Sequence, residues 1–308
     1  MKQVGVKVKV GVAVAVLLVC IFCRAPGYAE SIKGMLNIKD IRENIFDSAM
    51  LSDKDWLMVG DRGKIFRSND GGIKWQGITS GTRFTLYSVS FPNPKEGWIS
   101  GKTGMMLHSS DGGFNWSQQK TNVAQHLFSV FFVDNQHGWA VGDYGTIVRT
   151  QDGGNKWENM SYKEDVVFYA VTFADTQNGW IVGELGQIFS TTDGGTTWSL
   201  VQLSEPVTTS LFCVALDGDA LYAAGLDGVI LYSKDRGKTW QRAKNISDKA
   251  LYGIAVQGDI GWAVGNAGTV LLTENGGSIW KVMPVSEENQ LFWLGAVSLR
   301  RSNANPEK

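Results

Sequence analysis

An all-β protein is predicted, a β-propeller of four-stranded blades that is seven-bladed (or six), and three observations predict it. A tryptophan closes an eight-residue phrase at positions 75, 116, 157, 198, 240 and 280, so the phrase returns every 40–42 residues. A Gly-Trp-x-x-Gly phrase runs in phase with it. Each repeat holds four short runs rich in β-branched and aromatic residues, separated by Gly, Asp and Asn turns and lacking a helical period. One such sheet has two apolar faces and buries neither alone. Its neighbours must cover both, and a closed ring leaves no bare end.

The elements follow in order. The first run of each unit reads "IFDSAM", "LYSVSF", "LFSVFF", "FYAVTF", "LFCVAL" and "LYGIAV", with a seventh copy, "LFWLGAV", at 291–297. The second run carries Trp56, Trp98, Trp139, Trp180, Tyr222 and Trp262. A GxxG turn leads to the third run, "KIFRS" in the first copy and "TVLLT" in the last, and the tryptophan phrase leads to the fourth. Six full units span Ile45 to Met283. Either six blades close with the last strand as an addition, or a thin seventh blade is stitched from both termini, with "MLNIKD" (35–40) as its outer strand.

The flanks read differently. Residues 1–29 form an export signal: Lys2, Lys7 and Lys9 precede an apolar run at 10–22, and small residues precede the cut after Ala29. Residues 30–44 are a lead-in able to contribute to ring closure, 45–298 the propeller, and 299–308 a polar, disordered tail. Cleavage removes Lys2, Lys7, Lys9 and Arg24 from 29 basic residues and none from 30 acidic ones, leaving 25 against 30. That balance argues against nucleic acid. Only Cys213 remains as a thiol, so packing holds the chain together without an internal disulfide. It fills the small inner-strand position where other copies have Ser88, Ser129, Ala170 and Gly253, whereas Trp293 in the seventh copy is too large for such a slot.

The repeated phrase sits in the hairpin between third and fourth strands. It supplies Asp70, Gly72 and Trp75, then Asp111, Gly113 and Trp116, then Asp152, Gly154 and Trp157. Asp193, Gly195 and Trp198 follow, then Asp235, Gly237 and Trp240, and finally Asn275, Gly277 and Trp280. The aspartate is expected to accept backbone N–H groups of its own turn, and the tryptophan to fold back over it. Asn275 keeps an acceptor and loses the charge, which a staple tolerates and a catalytic acid does not. Arg236 replaces the first glycine of the fifth copy, so the second glycine is the position expected to need φ > 0. One carboxylate per phrase falls short of the six to eight oxygens calcium takes, and three scattered histidines give no metal spacing. Neither a metal nor any other cofactor is expected.

The pattern [ST]-x-D-x-G-x-x-W, the phrases "GWAVGDYGTIVRTQDGGNKW" (138–157) and "GWIVGELGQIFSTTDGGTTW" (179–198), and "LFSVFFVDNQHGWAVG" (127–142) resemble the photosystem II stability/assembly factor family of BNR (Asp-box) repeat propellers. The resemblance covers about residues 45–283. It implies a seven-bladed, exported propeller without enzymatic activity. Its partner would be a protein, a membrane complex or the unassembled subunits of one, with no small-molecule substrate, in the periplasm or a thylakoid lumen.

Sialidase-like glycoside hydrolases carry the same box and are the alternative. They need arginines converging on a substrate carboxylate beside a nucleophile pair and a separate acid. Arg67 and Arg149, in third strands beside the boxes, lie instead towards the rim, and no Arg-Ile-Pro phrase opens the domain. No catalytic residue is assigned. For partner binding, the GxxG turns and the segments leading into the inner strands share one face and vary among copies. The candidates there are Arg62, Arg83, His126, Tyr144 and Lys249, with His126 as a solvated or capping imidazole rather than a catalyst and Arg and Tyr as favoured hot-spot types.

Overall fold

Residues 43–244 and 247–284 are described by the computed structural model. The expected export signal, most of the lead-in, the strand at 291–297 with Trp293, and the tail at 299–308 lie outside them. The described residues form six four-stranded antiparallel sheets, each a simple meander in chain order. Blade 1 is β1 (Ile45–Met50), β2 (Trp56–Gly60), β3 (Ile65–Ser68) and β4 (Gln76–Ile78). Blade 2 is β5 (Leu86–Ser90), β6 (Gly97–Gly101), β7 (Met106–Ser109) and β8 (Ser117–Gln119). Blade 3 is β9 (Leu127–Phe132), β10 (Gly138–Gly142), β11 (Ile147–Thr150) and β12 (Glu158–Asn159). Blade 4 is β13 (Phe168–Phe173), β14 (Gly179–Gly183), β15 (Ile188–Thr191) and β16 (Ser199–Leu200). Blade 5 is β17 (Leu211–Asp217), β18 (Ala220–Gly225), β19 (Ile230–Ser233) and β20 (Gln241–Arg242). Blade 6 is β21 (Leu251–Gln257), β22 (Ile260–Gly265), β23 (Val270–Thr273) and β24 (Lys281–Val282). Six is the lower of the two numbers the sequence allowed, and no α-helix occurs among the described residues.

Burial explains why each strand has its composition. Every residue of β2, β6, β10 and β14 is buried, because the second strand lies between two neighbouring blades and has no solvent face. The fourth strands are short and largely exposed, a form that blunts an edge against pairing with other chains. The cores lie between blades rather than within them. Leu57, Val59 and Ile65 of blade 1 pack with Leu86, Val89 and Ile99 of blade 2, and the inner strands touch in the order β1, β5, β9, β13, β17, β21.

The box is a local staple. In the first copy Asp70 accepts from the backbone N–H groups of Ile73 and Lys74, Ser68 Oγ accepts from Gly72, and Trp75 Nε1 donates back to Gly72 O at 2.9 Å. Asn275 repeats the geometry without charge, accepting from Ile279 N at 3.0 Å while Trp280 Nε1 donates to Gly277 O at 2.8 Å.

The second glycine of each box lies at positive φ as expected, 86° at Gly72, but the first does so too, 77° at Gly71, and Arg236 adopts 58° in that position. Space separates the two positions in the first and last copies, where a Cβ on Gly71 or Gly276 would meet nothing closer than 3.6 Å while one on Gly72 or Gly277 would press on the ring of Trp56 or Tyr222. In the second to fourth copies the first glycine is crowded as well, by the carbonyls of Pro94, Asn135 and Thr176 at 2.8–3.0 Å, and Cβ atoms on Gly195 and Gly237 would press on Trp139 and Trp180.

Three second-strand rings are also clasps between blades, whereas Trp56 lies against the box of its own blade and its buried Nε1 has no hydrogen-bond partner. Trp98 Nε1 donates to Gly153 O at 3.3 Å, Trp139 Nε1 to Gly194 O at 2.9 Å, and Tyr222 Oη to Gly276 O at 3.3 Å, each time onto the box of the following blade. Phe132 stacks on Trp98 at 3.7 Å and meets Trp157 edge-on at 5.8 Å, so the three aromatic series of the repeat converge at one interface. Phe173, Trp139 and Trp198 repeat the arrangement one blade on. Arg67 and Arg149 reinforce it at the rim: Arg67 Nε donates to Gly112 O, and Arg149 Nη1 to Gly194 O.

Candidate protein-binding face

The GxxG turns and the lead-in segments meet on one face through a repeated backbone contact. Asp61 N donates to Asn44 O, Lys102 N to Thr85 O, Asp143 N to His126 O, Glu184 N to Val167 O, Leu226 N to Ser210 O and Asn266 N to Ala250 O. Each turn is sharp because its second residue is left-handed. Arg62, Thr103, Tyr144, Leu185, Asp227 and Ala267 all have φ between 53° and 57°. A non-glycine residue costs roughly 1–2 kcal/mol in that conformation, and the variable side chain is thereby held out on the face. The glycine that follows allows the next blade's lead-in to approach: Cβ atoms on Gly63, Gly186 and Gly228 would strike the carbonyls of Thr82, Val207 and Ser247.

Most of the sequence candidates gather on adjoining segments. Arg62 and Arg83 are exposed, and Gly63 beside Thr82 sets their two segments against each other. His126 Nδ1 accepts from Thr103 N at 3.2 Å, so the imidazole caps the preceding blade's turn, and its ring lies near Tyr87 and Phe128. Tyr144 is 65% exposed in the turn whose backbone bonds to the His126 carbonyl. Lys249 belongs to the same face but not to this group. It lies on the lead-in of blade 6, paired with Asp248 at 3.0 Å. The face also shows large apolar groups: Leu185 is 63% exposed, Phe84 45% and Leu226 40%.

Beneath the face, the inner strands line a central cavity of about 210 Å³. Pairing in every inner strand skips one residue, and the skipped residue is always aromatic: Phe46, Tyr87, Phe128, Tyr169, Phe212 and Tyr252. A β-bulge re-aims the side chain it carries, and here it turns six rings onto the cavity wall. Successive rings touch at centroid distances of 5.7, 5.3, 6.0, 5.1 and 5.4 Å. The signal was present in the sequence as the aromatic second letter of every inner-strand phrase, but an aromatic residue in a strand reads as core. Nothing in composition marks the bulge.

Charges at the cavity are acidic. Burial raises the Tyr87 phenol, and the carboxylates of Asp61 and Asp143 raise it further. Burial also raises Tyr169, opposed by a hydrogen bond with Ser210 and assisted by Glu184. Asp47 lies in the wall and is pushed up to about 6 by burial, which outweighs the bonds it accepts from Val89 N, Ser48 N and Ser88 Oγ. Cys213, also in the wall, has its thiol pushed up to about 12 by burial, against a hydrogen bond to the Ala224 carbonyl. Such a thiol is not a nucleophile at neutral pH. Among the described residues, no group of three or more His, Cys, Asp or Glu could hold a metal ion.

No curated protein matches the chain. Solved structures show the same fold. A structure of YCF48 bound to D1 peptide is 22% identical, with a TM-score of 0.64, and the match covers 81% of this chain and 82% of that one. YCF48 from Cyanidioschyzon merolae is 20% identical at a TM-score of 0.63, covering 79% and 85%. A GH74 enzyme of Niastella koreensis, 13% identical at 0.62, is matched over 81% of this chain and 38% of its own. The family model for photosynthesis system II assembly factor YCF48 matches residues 33–123, 114–166 and 155–249, well over half of the sequence, and the chain belongs to that family.

Proposed function

We propose that the protein is an exported, non-catalytic assembly factor that captures a protein partner on the face formed by the GxxG turns and lead-ins. The observation that carries this reading is the combination, on that face, of six left-handed turns displaying different side chains with the exposed Phe84, Tyr144, Leu185 and Leu226. A rigid frame with variable projecting residues is how propellers and other scaffolds present binding groups. Aromatic and arginine side chains dominate hot spots. Family membership supports a partner from photosystem II, as does the relative solved with a bound D1 peptide.

Among the described residues, the third-strand arginines beside the boxes do not converge on a substrate site as a hydrolase would need. Arg67 is committed to Asp55 of its own blade and to Gly112 O of the next, and Arg149 to Glu158 of its own blade and to Thr196 and Gly194 O of the next.

The test is capture of partners from solubilised membranes by the tagged protein. Arg62→Glu with Arg83→Glu is expected to weaken capture by about tenfold, the scale of a hot-spot loss, without lowering the melting temperature. Capture unchanged by the double variant removes this face from the mechanism.

A further inference from the structure

The cavity beneath the face has features that partner capture at the rim does not use. Its wall is a belt of alternating Phe and Tyr rings, and its volume of 210 Å³ is below the roughly 300–1,000 Å³ of sites that enclose a drug-sized ligand. It is the size for one side chain. The carboxylates around it point the same way. Asp61 and Asp143 act on Tyr87, and Glu184 acts on Tyr169, so all three flank the ring belt at the lead-in end. Each is half-buried rather than splayed into solvent. Among the described residues none of the three forms an ion pair with a lysine or arginine. Asp61 is held in place by Asn44 Nδ2 at 2.6 Å and Thr85 Oγ1 at 3.3 Å, and Glu184 by Val167 N at 3.0 Å. The buried Oδ1 of Asp143 has no hydrogen-bond partner. A buried carboxylate oxygen without a donor is costly and favours whatever cation can reach it. Outside this acidic mouth the exposed charges are mixed, with Arg62, Arg83 and Lys102 on the turns and lead-in of blades 1 and 2, and Asp165 and Asp227 on the lead-in of blade 4 and the turn of blade 5.

Aromatic faces and fixed carboxylates together recognise one chemistry, an alkylammonium or guanidinium group, which gains from the ring quadrupoles and from the anionic rim at once. We propose that the mouth of the central cavity receives a lysine or arginine side chain projecting from the partner polypeptide, its charged end held by Asp143, Asp61 and Glu184 against the belt that includes Tyr87, Phe128 and Tyr169. This rests on the reading that the turn face binds a protein, and it names the chemistry of the residue that enters. Arg62 and Arg83, on one side of the face, then engage the partner's flanking acidic or carbonyl groups while the central side chain goes inward. An anionic or apolar insert is disfavoured by the same carboxylates.

The experiment uses the full chain, labelled with carbon-13 at tyrosine rings, titrated with acetylated tetralysine, tetraarginine and tetraglutamate amides, and with butylammonium as a free small cation. The basic peptides are expected to shift the Tyr87 and Tyr169 resonances saturably, assigned by Tyr→Phe variants. Tetraglutamate is expected to leave them in place, and butylammonium to bind at least tenfold more weakly than tetralysine. Asp143→Asn with Glu184→Gln keeps acceptor oxygens at both sites and should weaken tetralysine by about tenfold. Glu184→Lys, which supplies a tethered ammonium, should abolish the shifts while the melting temperature holds. Unmoved tyrosine resonances, equal affinity for tetraglutamate, butylammonium binding as tight as tetralysine, or an unaffected double variant each overturn the proposal. Capture through Arg62 and Arg83 is read separately on the rim, so failure of one result leaves the other interpretable.

Discussion

Gly277 sits where Tyr222 of the preceding blade lies across the box, at a φ of 83°. Gly277→Ala therefore combines left-handed strain of roughly 1–2 kcal/mol with overpacking of roughly 1–3 kcal/mol, and should cost about 3 kcal/mol in denaturant unfolding. Gly71→Ala meets only the strain, because its nearest neighbour would be 3.6 Å away, and should cost about 1 kcal/mol. The aspartates give a second expectation through pH. Asp47 titrates at about 6 instead of 3.8, so its contribution to stability is complete below pH 3.8 and is lost as pH rises through 6. The box residues Asp193 and Asp235 behave oppositely. The hydroxyls and then the backbone N–H groups of Thr197 and Thr239 lower them to about 2, so their contribution is present above pH 3.8 and is lost as pH falls through 2. Thermal unfolding across pH 2–8 should show its maximum between these windows, and Asp47→Asn should flatten only the upper one, which amounts to about 3 kcal/mol.

At the level of strands and hairpins, the box and the second strand of the preceding blade form one unit. Trp139→Phe keeps a ring on Phe173 and removes the bond to Gly194 O, so it should cost about 1 kcal/mol. Trp139→Ala also opens a cavity between blades and should cost about 3–5 kcal/mol. Equal losses in the two variants would place the energy elsewhere than the ring. Here the sequence could be read only in part. The box residues that staple their own hairpin are local, separated by a few positions, and the pattern Asp-x-Gly-x-x-Trp states their geometry outright. The clasp is not local. Nothing in the phrase "GWAVG" says that its indole reaches a carbonyl 55 residues later, or that the buried second glycine exists to admit it. The inner-strand bulge was equally hidden, because "LYSVSF" written as a plain alternation puts Tyr87 on the same side as Val89.

For the ring as a whole, periodicity was enough. A repeat of 40–42 residues with four runs fixes blade architecture whatever the individual contacts are. Variation among copies pointed to the face but not to the cavity under it, since Asp61, Asp143 and Glu184 are far apart in sequence and converge only once the blades are arranged around the centre. Export belongs to this scale too. If residues 1–29 direct secretion, the exported protein should begin at Glu30, which intact-mass measurement of secreted material would establish. A start at Met1 would indicate an uncleaved anchor instead.

The clasps run in a single sense, from the second strand of one blade to the hairpin of the next. On a ribosome this ordering acquires a timetable. The indole of Trp139 leaves the exit tunnel 55 residues before its acceptor, so a blade that carries such a ring waits, with a polar donor unsatisfied, until its successor emerges. Premature release of a chain that ends after blade 3 should therefore leave the Trp139 indole without its acceptor, while Trp98 keeps its own in Gly153.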